Sequence, residues 1–134
     1  MCSKITFSNM LFYVYKTVFA NISTAFPEED DFIFLEDDAI LHDVDQLMTE
    51  ICNAKRNKFQ FYSFLRTSRQ SSCIYDHGTV AFYVRRKLLE HLASFDDHHY
   101  CRLPIDMYIA ASGPWFATEA YVVKHKATRY NIHV

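Results

Sequence analysis

Apolar residues recur along the chain at two spacings, and the spacing assigns the elements. Between Ser8 and Ala25, Leu11, Tyr15, Val18 and Ile22 stand three or four residues apart, which predicts a helix capped near Ser8. Pro27 and the acidic run Glu28 to Asp31 end it in a turn. Phe32 to Leu35 is unbroken apolar sequence and predicts a short strand covered on both faces. Helical spacing returns at Val44, Leu47, Met48, Ile51 and Ala54. Asp43 is placed to cap that helix, and Lys55, Arg56 and Lys58 suit the negative end of its dipole. Phe59 to Leu65 and Thr79 to Val84 read as strands, with a polar loop from Arg66 to Gly78 between them. A short amphipathic helix built on Leu88, Leu89 and Leu92 follows, then a helix after Pro104, then a last strand from Phe116 to Val123. Strands alternating with helices indicate an α/β sandwich.

Composition narrows the class. The chain has 134 residues, half of them hydrophobic and 16% aromatic, enough for one domain with a substantial core and too apolar for disorder. Two glycines and three prolines leave no visible linker, so residues 1–134 read as a single domain. A net charge of -2 gives no reason to expect nucleic acid or an anionic membrane as partner. The four cysteines are widely spaced with no C-x-x-C pair, and read as buried thiols rather than zinc ligands. The apolar stretch from Met10 to Ala20 is interrupted by Lys16 and too short to span a bilayer. With no signal peptide or membrane span read, a cytoplasmic location is expected.

The chemistry concentrates where the first strand ends. "DDFIFLEDDAIL" runs from buried apolar sequence straight into Glu36, Asp37 and Asp38, and adjacent like charges are costly unless a positive group sits among them. In open α/β sheets, ligands bind beyond the carboxyl ends of strands. Glu36 and Asp38, at alternate positions, project to one side. Two hard oxygen donors suit Mg²⁺ or Mn²⁺, whose remaining positions are filled by phosphate and water. The plainer alternative is an acidic turn that leads into the cap of the next helix.

Several segments taken in order carry a resemblance. "FIFLEDDAIL", "HGTVAFYVRRKLLEHL", "LPIDMYI" and "AYVVKHKATRYNIHV" resemble successive elements of glycosyltransferase family 25, the lipopolysaccharide and procollagen sugar transferases. "FSNMLFYVYKTV" sits where that family has a serine-containing helix start, with Asn9 in place of its usual histidine. The resemblance runs from about Ser8 to the C-terminus. It implies a GT-A-like three-layer sandwich, and a metal-dependent transfer of a hexose from a nucleotide sugar, foremost a UDP-sugar, to a hydroxyl of a glycan or protein. Glu36 and Asp38 are then the leading metal ligands, and Asp37 either binds the metal too or orients those ligands from beside them. A late histidine completes the metal shell in such folds; His125 and His133 are both permitted, and His133 is taken here. Gly78 is read as letting backbone approach a substrate, with His77 or Thr79 binding a sugar hydroxyl, against the commoner turn glycine with exposed neighbours. Asp106 is the base that deprotonates the acceptor or, equally, a helix-capping carboxylate. About thirty residues precede Glu36, where the family has a nucleotide-binding βαβ region, so the chain resembles the family's second part, truncated at the N-terminus. That departure keeps open a catalytically impaired fragment that works as a binding module, with a further copy of itself or a full-length transferase as partner. A small phosphatase-like hydrolase is a third reading, fitted less well by a motif that starts with glutamate.

Two other features have an ordinary alternative. Trp115, after Gly113 and Pro114, suits stacking on a sugar and equally suits the core. The cluster Asp96 to Cys101 is rich in ligand atoms, but neighbouring side chains diverge, and it reads as a solvated loop.

Overall fold

The computed structural model describes residues 7–66, 74–95 and 104–126. Within them the order is α1 (Phe7–Ala25), β1 (Asp31–Leu35), β2 (Ala39–Leu41), α2 (Val44–Arg56), β3 (Phe61–Ser63), β4 (Ala81–Arg85), α3 (Arg86–Ala93), α4 (Ile105–Ala111), β5 (Phe116–Ala117) and β6 (Val123–His125). The fold is mixed α/β. A four-stranded sheet has the order β1-β4-β3-β5, antiparallel except where β3 and β5 run parallel, and β2 pairs with β6 in a separate two-stranded sheet.

The core lies on both faces of the larger sheet. Alternation in the central strand β4 sends Phe82 and Val84 to one side and Ala81 and Tyr83 to the other, all four buried. Phe12 and Phe19 of α1, Leu88, Leu89 and Leu92 of α3, and Ile105 and Ile109 of α4 cover the first face. Leu47, Ile51 and Ala54 of α2 cover the second. The α2 start follows its sequence signal: Asp43 caps it, accepting from Gln46 N–H at 3.0 Å. The α1 start does not, because that helix already includes Phe7 and takes Ser8 inside it. Arg86, the first residue of α3, ties that helix to the end of α1 and the turn after it, donating to the carbonyls of Ser23, Phe26 and Glu29.

Three strand expectations are corrected. β1 is an edge strand: Phe32 and Phe34 pack against the α1 face, while Ile33 and Leu35 remain 43% and 48% exposed. The hydrophobic cluster under α2 takes residues of β3, β4 and β6 and none of β1, so an unbroken apolar run overstated the burial. The last strand divides in two. Thr118 Oγ1 accepts from Ala120 N–H at 3.1 Å, and this local turn ends β5 and redirects the chain into β6. β2 was not foreseen, because three residues with Ile40 and Leu41 exposed carry no legible period. The segment read as polar loop also contributes Tyr75, which is buried against Phe61. Cys52, expected as a buried thiol, is exposed on α2. No helix among the described residues is long and apolar enough to cross a membrane.

Candidate metal centre

β1 delivers its last residues to a turn whose backbone is held from two sides. Glu36 N–H donates to Val80 O at 2.8 Å, and Ala39 N–H closes the turn on Glu36 O at 3.1 Å. The chain then enters β2, where Ala39 pairs with His125 of β6, and Lys126 N–H donates to Asp38 O at 2.9 Å. This pairing brings a histidine 87 positions away in sequence beside the acidic turn. Glu36, Asp38 and His125 each offer a ligand atom, and these atoms lie within 4.8 Å of one another.

Each donor is held differently. Tyr15 Oη and Thr79 Oγ1 both donate to Glu36 Oε2, the latter at 3.0 Å, so neither engages Oε1. Burial, reinforced by the bond to Glu36, pushes the Tyr15 phenol far above its usual range and keeps it a donor. Asp38 Oδ2 faces His125 Nε2 at 2.6 Å. Asp38 Oδ1 is buried without a hydrogen-bond partner. Such an orphan oxygen is expensive unless a donor or cation meets it. Two carboxylates, one of them with an orphan oxygen, and an imidazole fit a small divalent cation such as Mn²⁺ or Mg²⁺.

The group opens onto a cleft of about 950 Å³, which Asp37 also lines. Arg66 and Lys124 bring positive charge to the same cleft, Arg66 lying 4.7 Å from the centre of the Tyr121 ring. Its wall includes Gly78 and Thr79, the pair expected at a substrate. Gly78 has φ of +98°, open to glycine, and an added Cβ would meet Leu65 Cδ2 at 3.1 Å. Its N–H donates to Asp106 Oδ2 at 3.0 Å and its carbonyl accepts from Tyr75 Oη at 2.8 Å. Asp106, in the first turn of α4, does not line the cleft; it fixes the glycine turn that presents Thr79 to Glu36. His133 and the cluster from Asp96 to Cys101 lie outside the described residues. Trp115 is tucked inward, its Nε1 donating to Ile109 O at 2.8 Å.

Tyr15 was read from sequence only as part of an apolar helix stripe. Its signal was chemical: a phenol on a buried face needs a hydrogen-bond partner. His125 is permitted by the sequence but His133 is the one expected there, and the choice between them depends on a strand pairing too short to read. No protein-family model matches this chain, and no curated protein sequence matches it significantly.

Proposed function

We propose that this chain is a glycosyltransferase-like protein with a GT-A-like fold, whose acidic turn holds a divalent cation for the diphosphate of a nucleotide-sugar donor. The observation that carries the reading is the convergence of Glu36, Asp38 and His125 in one cleft with Arg66 and Lys124. A bound divalent cation would stabilise the negative charge that develops on a departing nucleoside diphosphate. The protein's own part is to position and neutralise. Tyr15 and Thr79 orient Glu36, while Arg66 and Lys124 are placed to attract phosphate oxygens. Asp106, which does not line the cleft, has a positioning role: its Oδ2 accepts from Gly78 N–H and fixes the turn that presents Thr79 to Glu36.

Thermal unfolding with Mn²⁺ and UDP tests this reading. A ligand that binds the folded state alone raises the midpoint by mass action, and Asp38→Asn or His125→Ala should remove the rise. An unchanged midpoint at millimolar Mn²⁺ and UDP would end it. Asp106→Asn tests that positioning role separately. Asparagine still accepts from Gly78 N–H, so stability and transfer should both hold; transfer lost in a folded variant would make Asp106 the acceptor's base instead.

A second reading, a module that supports a partner without catalysis, is favoured by the edge position of β1 and the exposure of Ile33 and Leu35 beside it. It expects no response to Mn²⁺ or UDP.

A further inference from the structure

A second cleft, of about 450 Å³, is bounded by α2 and by residues of β3 and β5. Gln46, Glu50 and Asn53 stand at helical spacing on α2, so one polar row faces it. Phe59, Tyr62 and Phe116 form an aromatic wall. The Phe59 and Tyr62 rings are stacked with centroids 5.9 Å apart, and Phe116 lies 5.3 Å from Phe59.

Glu50 sets the chemistry. It is only 7% exposed, unusual for a glutamate on a helix face. Its Oε1 accepts from Tyr62 Oη at 2.5 Å, while Oε2 is buried with no hydrogen-bond partner. A buried carboxylate oxygen without a donor is costly, and no Lys or Arg among the described residues lines the cleft to offset it. The other charged residue at the cleft is Glu119, also acidic. Acidic oxygens beside aromatic faces favour an organic cation, since the ring faces attract positive charge as well. The orphan Oε2 requires an N–H donor, which a quaternary ammonium lacks. The open shape leaves room for an apolar stem along the rings.

We propose that this cleft binds an alkylammonium group, with its N–H directed at Glu50 Oε2 and its methylene stem against Phe59 and Phe116. The shared chemistry comes from either a free diamine or a lysine side chain of another protein. The site is independent of the acidic turn at Glu36 and does not rest on the donor reading.

Amide NMR titration of the full chain tests it with three probes: cadaverine, Nα-acetyl-lysine methylamide and tetramethylammonium. Shifts along α2, β3 and β5 are expected with one or both primary amines, weakened about tenfold or more in Glu50→Gln. A response to cadaverine alone identifies a free amine, and a response to the lysine amide identifies a protein side chain; either supports the proposal. Phe116→Ala serves as a second variant, since Phe116 is 43% exposed and its loss spares the buried core, and it should weaken binding severalfold. Silence of both primary amines at about 10 mM overturns the proposal. So does tetramethylammonium binding equally well, or binding unchanged in both folded variants.

Discussion

Replacing Tyr15 with Phe removes one hydroxyl and leaves the ring, so its consequences can be worked from two facts. The hydroxyl donates to Glu36 Oε2, and burial holds the phenol protonated well above its ordinary range. A hydrogen bond to a charged group is worth about 1.5–3 kcal/mol net, and Thr79 still serves the same oxygen, so the lower end applies: about 1.5 kcal/mol at pH 7. With a urea m-value of about 1.5 kcal/mol/M, the midpoint falls by about 1 M. The alkaline limb gives an independent magnitude. Tyr15, Tyr75 and Tyr83 all have phenols pushed up, chiefly by burial. A tyrosine whose folded pKa is raised gives stability that is intact below the unfolded value near 10 and is lost as pH rises past it. At pH 11 each such group has removed about 1.4 kcal/mol, so the wild type loses about 4 kcal/mol and Tyr15→Phe about 3. Urea titrations at pH 7, 9, 10 and 11 read both quantities. A variant with the wild-type midpoint at pH 7 and the wild-type alkaline loss would refute the placement of this phenol on Glu36.

Arg86→Ala strips the donors that hold the carbonyls of Ser23, Phe26 and Glu29, and urea unfolding should show a loss of about 2–3 kcal/mol, where Lys87→Ala on the exposed side of α3 shows almost none. Gly78→Ala forces a side chain into a positive-φ position against Leu65 and should cost about 1–2 kcal/mol while also weakening Mn²⁺ binding, because Thr79 shifts from Glu36; calorimetry reads both. Leu89→Ala, at a fully buried α3 position, should cost about 2–5 kcal/mol by urea unfolding and leave the acidic turn intact.

The sequence by itself determined the helices and the place of the chemistry. The helical period in α2, the Asp43 cap and the leucines of α3 are local features, and local sterics and hydrogen bonding decide them. The abrupt passage from apolar residues to Glu36, Asp37 and Asp38 likewise marks the end of a strand wherever that strand lies in the sheet. Tertiary structure decided the rest. Whether Phe32 to Leu35 lies at the centre or the edge depends on what pairs beside it, and no property of those residues contains that information. β2 and β6 have three residues each, too few for a period, and their register alone puts His125 on Asp38. The position of Tyr15 over Glu36 follows from how α1 packs across the sheet. Short strands and long-range contacts gain their stability from partners distant in the chain, so their geometry can be read only after the chain has closed on itself.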